Sequence, residues 1–147
     1  MLIISPPGCG KTTLLRDLCR RLGQFKKISV IDERGEIAGM GRETTFNIGE
    51  MTDVMSLCDK KTGIELMLRS MSPDYIVTDE IADKDCESIK KAMTYGVYVI
   101  ASAHGDDIDK TVERIGMNKD MFDNIVLLSN RGSIGRIERI YGGNAND

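Results

Sequence analysis

Five short apolar runs recur along the 147-residue chain, separated by longer polar or helix-forming stretches. Most are continuous rather than alternating, which is typical of strands buried on both faces of a parallel sheet. The runs are residues 2–4, 28–31, 75–78, 97–101 and 125–128. Residues 136–141 follow the turn-rich residues 130–135, and we expect them to return as an antiparallel edge strand.

Helical periodicity fills most of the intervals between these runs. It predicts four helices: through residues 14–22, through residues 64–71 before Pro73, from an N-cap at Asp83 to Gly96, and through residues 108–115. Residues 33–61 carry four glycines and no sustained period, which indicates a long functional loop. The alternation predicts a three-layer α/β domain with a mainly parallel five-stranded sheet plus a C-terminal antiparallel edge strand.

The segment between the first strand and the first helix, residues 5–13, reads SPPGCGKTT and has the composition of a P-loop. Gly8 and Gly10 leave the backbone N–H groups open to a phosphate chain, and the following helix N-terminus adds its own. Lys11 can reach the β- and γ-phosphates, and the Thr12 hydroxyl can ligate Mg²⁺. The residues predicted to bind ATP are Pro7, Gly8, Cys9, Gly10, Lys11, Thr12 and Thr13.

The P-loop begins with Ser5 where the usual pattern has glycine, which leaves the phosphate and metal contacts of the downstream residues intact. The first strand starts at once after Met1, with nothing before it to cover the sheet or contact a nucleotide base. We therefore expect residues 1–147 to be a single P-loop ATPase domain and the C-terminal part of a longer protein.

The third apolar run ends in two acids, Asp79 and Glu80. In P-loop ATPases a carboxylate at this place holds Mg²⁺, usually through water. We expect Asp79 to share the metal with Thr12, and Glu80 to orient or deprotonate the attacking water. The cofactors predicted from these motifs are ATP and Mg²⁺.

Two other strands also end in polar residues, at the sheet edge where ligands of parallel α/β proteins bind. Ser102 and His104 are expected to face the phosphates, with His104 donating to the γ-phosphate or the lytic water. Glu33 competes with Glu80 for the role of base, and Arg34 is predicted to neutralise phosphate charge in its own subunit or a neighbour's. The sequence leaves the choice between the two glutamates open.

Composition narrows the classes of partner and compartment. The chain has 20 basic and 23 acidic residues, which gives no electrostatic case for a nucleic-acid surface. Its four cysteines show no metal-binding spacing and are expected to be free thiols in a reducing compartment. No apolar stretch approaches the ~20 residues that span a bilayer. We expect a cytoplasmic protein without a nucleic-acid partner or a membrane span.

Taken in order, the boxes at residues 5–12, 32–36, 76–80 and 101–105 resemble the secretion-ATPase branch of P-loop enzymes. The stretches SPPGCGKTTLLRDL, VIDERGEIAG and LRSMSPDYIVTDEIA are similar, across nearly the whole chain, to the stage III sporulation protein AA family of endospore-forming bacteria. Secretion ATPases commonly have glycine where Asp79 stands. The roles of their acidic residues therefore do not transfer directly to Asp79 and Glu80.

The resemblance implies a cytoplasmic AAA-type ATPase of the mother cell that powers or gates the sporulation channel joining mother cell and forespore. It also implies a hexamer in the full-length protein and membrane proteins of the channel as partners. No plain arginine-finger motif is present, and Arg34, Arg69 and Arg131 are the candidates for a contact between subunits, in that order.

Four other functions compete with this one. A GTPase is disfavoured because the Asp of residues 118–121 comes one place too early for guanine selection, and a small-molecule kinase because no arginine-rich lid is visible. A RecA-like nucleic-acid motor is the enzyme alternative. A nucleotide-gated structural subunit with little turnover is the other.

Overall fold

The computed structural model of the chain describes residues 1–39 and 45–142. The strands in this part are β1 (Leu2–Ser5), β2 (Ile28–Asp32), β3 (Thr52–Ser56), β4 (Tyr75–Thr78), β5 (Tyr98–His104), β6 (Asn124–Ser129) and β7 (Arg136–Gly142). The α-helices are α1 (Lys11–Leu22), α2 (Lys60–Ser70), α3 (Cys86–Thr94) and α4 (Ile108–Arg114). Short 3₁₀ turns lie at Asp83–Asp85 and Lys119–Met121.

The described strands form one sheet in the order β3-β2-β4-β5-β1-β6-β7. Neighbours from β3 to β6 are parallel, and only β7 runs antiparallel, against β6. The predicted α/β fold class and the antiparallel C-terminal strand are therefore confirmed. Within the described residues, no helix is both long and apolar enough to cross a bilayer.

The sheet has one more parallel strand than the predicted five, because β3 lies within the stretch interpreted as a loop. Val54 of β3 pairs with Val30 of β2, and β3 has no partner on its other side in the described part of the chain. The strand is half-buried, and Asp53 is exposed. An edge strand of this kind needs no continuous apolar run, so the criterion that finds buried strands misses it.

The third helix also starts later than predicted. Asp83 was expected as its N-cap, but residues 83–85 form a 3₁₀ turn and the α-helix begins at Cys86. The Asp85 carboxylate accepts a hydrogen bond from the Ala82 backbone N–H at 2.9 Å. This bond closes a tight turn ahead of the helix, and such turns are common at helix N-termini.

Two apolar cores, one on each face of the sheet, cover the interior strand β1. Leu2 and Ile4 pack with residues of α2, α3 and α4, whereas Ile3 packs on the other face with Leu15 and Cys19 of α1. Both faces of β1 are thus covered, which explains its uninterrupted apolar sequence. The loops that follow β1, β2, β4 and β5 meet at one edge of the sheet.

Candidate nucleotide-binding site

The loop between β1 and α1 has the backbone conformation of an anion cradle. Gly8 and Gly10 have φ angles of 74° and 85°, in the left-handed region that glycine adopts without strain. Gly10 is also the N-cap of α1, and no side chain caps the helix. The first N–H groups of α1 have no partner within the helix and are available to a bound anion.

An open cleft of about 630 Å³ lies over this loop. All seven residues predicted to bind ATP line it, and so do three of the four predicted catalytic residues. The lining residues are Pro7, Gly8, Cys9, Gly10, Lys11, Thr12, Thr13, Arg34, Glu36, Glu80, His104 and Ile134. The volume falls in the range of small-molecule sites.

The Lys11 ammonium is buried at the floor of the cleft and is surrounded by polar atoms. Its Nζ lies 3.3 Å from Ser5 Oγ, 3.4 Å from the Ser5 carbonyl oxygen and 3.1 Å from His104 Nδ1. Burial lowers the pKa of Lys11, and the nearby Glu80 carboxylate opposes that shift. Ser5, the departure from the usual glycine, therefore supplies two of the acceptors that hold Lys11.

A chain of hydrogen bonds and ion pairs continues from Lys11 across the cleft. An ammonium group only donates, so His104 Nδ1 is the acceptor and Nε2 carries the ring proton. Nε2 donates to Glu80 Oε1 at 3.0 Å, and Glu80 Oε2 pairs with Arg34 Nη1 at 2.7 Å. Four predicted site residues from four different loops or strands are thus brought into direct contact.

Glu80 is held in place through its backbone as well. Its φ of 41° lies in the left-handed region, which is unusual for a non-glycine residue. The Glu80 N–H donates to Ser102 Oγ at 3.0 Å, and the Ile81 N–H donates to the Ser102 carbonyl at 2.8 Å. The prediction that Ser102 faces the phosphates is wrong, because it lies one strand repeat deeper than His104, under the Glu80 peptide, and is buried.

Glu33, the rival candidate for the base, is engaged elsewhere. Its Oε2 lies 2.5 Å from the Nζ of Lys60, the buried first residue of α2. The hydrogen bond from Lys60 holds the pKa of Glu33 below its usual value. Glu33 is not among the described residues that line the cleft, whereas Glu80 is.

Asp79, the predicted metal ligand, is buried with only 2% of its surface exposed. Its Oδ2 has no hydrogen-bond partner among the described residues. Burial raises the pKa of Asp79 to about 6, against the opposing effect of the Lys60 charge. A buried carboxylate oxygen without a partner suits a divalent cation, which prefers such hard oxygen ligands. Thr12 lines the adjacent cleft, so the donor set fits Mg²⁺.

Residues 1–146 match the family described as Sporulation stage III, protein AA. The chain belongs to this family. Stage III sporulation protein AA of Bacillus subtilis (strain 168) is 39% identical over 152 aligned residues, covering 95% of this chain and 50% of that protein. Protein SEEDLING PLASTID DEVELOPMENT 1 of Arabidopsis thaliana is 29% identical, covering 77% of this chain and 17% of that protein.

Solved structures of two ATPases resemble this protein AA family chain in fold. The VirB11 ATPase of the Brucella suis type IV secretion system superposes with a TM-score of 0.70 at 17% identity, covering 97% of this chain and 49% of that one. The Legionella pneumophila ATPase DotB gives 0.61 at 17% identity, covering 86% and 40%. At such identities the likeness shows only that the chain shares the α/β fold of these ATPases. The family chain spans half or less of the length of its curated relatives.

Two residues to which the sequence motifs assign no role, Asp32 and Arg16, organise the box at residues 32–36 of this family chain. The Asp32 carboxylate accepts hydrogen bonds from the three backbone N–H groups of residues 36–38 at 2.9 to 3.2 Å. Arg16 of α1 donates to the backbone carbonyls of Glu36 and Ile37 at 2.8 and 2.9 Å. These bonds fix the loop that carries part of the cleft lining.

Sequence reasoning also missed Lys60, Glu36 and Ile134. Lys60 follows Asp59, whose side chain caps α2 by accepting from the Thr62 N–H, so the helix start was a detectable signal. The pairing of Lys60 with Glu33, 27 residues away, leaves no signal in the sequence. Glu36 and Ile134 reach the cleft through loops whose course depends on the tertiary structure.

Proposed function

We propose that this chain is the ATP-binding and ATP-hydrolysing unit of a sporulation ATPase on the cytoplasmic, mother-cell side of a membrane channel, which it powers or gates. The observation that carries the proposal is the contact chain at the P-loop: Lys11 to His104 at 3.1 Å and His104 to Glu80 at 3.0 Å. It joins the phosphate-binding lysine to a carboxylate suited to act on water. Membership of the sporulation family and the secretion-ATPase fold support it.

In the proposed reaction the P-loop N–H groups and the Lys11 ammonium bind the β- and γ-phosphates. Thr12 and Asp79 would hold Mg²⁺, which would neutralise charge on the phosphate oxygens. Glu80 accepts a proton from the attacking water as its oxygen bonds to the γ-phosphorus. The bond from that phosphorus to the ADP oxygen breaks, and ADP and phosphate are the products.

The binding half of the proposal is tested by Lys11→Ala. Removing the ammonium takes away the charge that compensates the β/γ-phosphates, so we expect ATP binding to be lost. The measurement is titration with a fluorescent ATP analogue in the presence of Mg²⁺, with circular dichroism to show that the variant is folded. A folded variant with the affinity of the unmodified chain would refute the P-loop assignment.

The hydrolytic half is tested by comparing Glu80→Gln with Glu33→Gln. The amide keeps the shape of the side chain and loses its acid–base capacity, so Glu80→Gln should bind Mg·ATP without hydrolysing it. Glu33→Gln is the matched control, since Glu33 pairs with Lys60 outside the cleft. Single-turnover hydrolysis distinguishes the two. If neither variant slows the chemical step by about tenfold, roughly 1.4 kcal/mol, the base is wrongly assigned.

We further propose that activity depends on assembly into a homo-oligomer, a hexamer in the full-length protein, that docks on membrane proteins of the channel. A group contributed by a neighbouring subunit can supply about 10³–10⁵ in rate. Of the three arginine candidates, Arg34 lines the cleft and pairs with Glu80 of its own chain, Arg69 lies exposed near the end of α2, and Arg131 lies on the β6–β7 loop. We expect this chain alone to be monomeric and a poor ATPase.

Light scattering paired with a phosphate-release assay tests the oligomer proposal. A longer protein that includes the preceding family region should gain activity more than linearly with concentration. A stable hexamer of the 147-residue chain with brisk turnover would contradict the proposal.

A nucleotide-gated subunit with little turnover is the second candidate. One observation favours it: both Glu80 carboxylate oxygens are occupied, by His104 and Arg34. These two partners take one acceptor site on each oxygen, so the attacking water must approach Glu80 at one of its remaining acceptor sites. Steady-state ATPase assays of the full-length protein, with and without its membrane partners, separate a motor from such a switch.

A further inference from the structure

The order of strands gives the cleft two distinct ends. β4 and β5, which carry Glu80 and His104, lie on one side of the P-loop strand β1, and β6 and β7 lie on the other. In the proposed function, on which this inference rests, the γ-phosphate lies at the Glu80 end. The nucleoside of the same ATP must then extend toward the loop that joins β6 to β7.

That loop brings an apolar side chain to the cleft. Ile134 is 75% exposed and lines the cleft together with the P-loop residues. The adjacent Gly135 lies close to the P-loop, since a Cβ placed there would be 3.6 Å from the Cys9 carbonyl oxygen. An exposed large aliphatic side chain at the rim of a polar cleft is the kind of group that buries apolar surface when a ligand binds.

The β6–β7 loop is held by hydrogen bonds of its own. The Arg131 N–H donates to Ser129 Oγ at 3.0 Å, and the Arg136 N–H donates to the Ser133 carbonyl at 3.3 Å. Gly135 has a φ of 79°, a conformation that a residue with a side chain adopts only with strain. These bonds and the Gly135 conformation shape the backbone on either side of Ile134.

We propose that Ile134 is the base-contacting residue of the site, packing its aliphatic side chain against one face of the purine ring of the bound nucleotide. The contact is made through apolar surface, because an isoleucine side chain has no hydrogen-bonding group. It therefore contributes affinity for a purine nucleotide without distinguishing adenine from guanine. Ile134 is exposed in the loop, so replacing it removes no core packing.

The test measures binding of three ligands to Ile134→Ala by isothermal titration calorimetry in the presence of Mg²⁺: ATP, GTP and inorganic tripolyphosphate. Ile137→Ala is the matched control, since Ile137 is a similarly exposed isoleucine, 53% accessible, on β7 and is not a described lining residue of the cleft. Losing the contact of one to two methylene groups corresponds to about a tenfold weaker Kd.

We expect Ile134→Ala to bind ATP and GTP about tenfold more weakly, with an unchanged Kd for tripolyphosphate, and Ile137→Ala to bind all three normally. Three outcomes for Ile134→Ala would overturn the inference while leaving the proposed function standing. They are an unchanged affinity for ATP, a loss of affinity for tripolyphosphate equal to that for ATP, and a loss of affinity confined to ATP. Absence of both ATP and tripolyphosphate binding by the unmodified chain would instead overturn the proposed function, and the inference with it.

Discussion

The buried carboxylate of Asp79 should make the stability of the nucleotide-free chain fall as the pH rises. Burial raises the pKa of this group from 3.8 to about 6. An acid whose pKa is raised by folding destabilises the folded state once it ionises, so the loss is absent below pH 3.8 and complete above the raised pKa. Two pKa units correspond to about 3 kcal/mol.

Replacing Asp79 with asparagine removes this titration and leaves a nearly isosteric amide. The amide has its own fixed cost, because it buries a donor where Oδ2 had no partner. That cost does not vary with pH. The informative quantity is therefore how the difference in free energy of unfolding between the variant and the unmodified chain changes with pH. On going from about pH 4.5 to about pH 8, we expect this difference to shift by about 2 kcal/mol in favour of Asp79→Asn.

The assay is urea unfolding followed by circular dichroism at the two pH values, without nucleotide or metal. Asp83→Asn is the control, since Asp83 is an exposed carboxylate in the next turn and its removal should not reproduce the shift. The reasoning is refuted if the stability difference between Asp79→Asn and the unmodified chain is the same at both pH values. The ionised Asp79 carboxylate would then not be destabilised by burial.

Two further substitutions test the groups that support the site. Ser102→Ala removes the acceptor of the Glu80 N–H, so we expect single-turnover hydrolysis to slow by about tenfold with an unchanged Kd for ATP. The control is Ser29→Ala, which removes a buried hydroxyl without a described partner and should leave the hydrolysis rate and the Kd unchanged. Asp32→Asn weakens three backbone hydrogen bonds and should lower the free energy of unfolding by about 2 kcal/mol in urea titrations. Asp53→Asn, at the exposed position of half-buried β3, should change it little, and equal effects would contradict the role of Asp32.

The parts of the fold that the sequence predicts are those whose physical signal is local. β1 and β4 are buried on both faces, so each leaves a continuous apolar run that ends at its motif. The glycines of the P-loop are similarly visible because their conformation excludes other residues. β3 escaped detection because an edge strand needs burial on only part of its surface, and residues 52–56 are correspondingly mixed.

The parts of the candidate site that could not be predicted depend on contacts between distant segments. Lys60 meets Glu33 only because α2 begins beside the end of β2, and Ser102 meets the Glu80 peptide only because β4 and β5 are neighbours. No spacing in the sequence encodes either pairing. Ile134 reaches the cleft because the sheet places the β6–β7 loop beside the P-loop, and strand order is not readable from apolar runs.

The interior position of β1 in the sheet also bears on how the protein fluctuates. The strand is fully buried and is paired along its length with β5 on one side and β6 on the other. Amide hydrogens in such a strand exchange with solvent only when the whole domain unfolds, whereas those of the edge strands exchange through smaller openings. We therefore expect the base of the phosphate loop to be anchored in a strand whose amide hydrogens exchange slowly. We therefore expect nucleotide to bind a P-loop whose first residues are already rigid, so that little conformational entropy is lost there on binding.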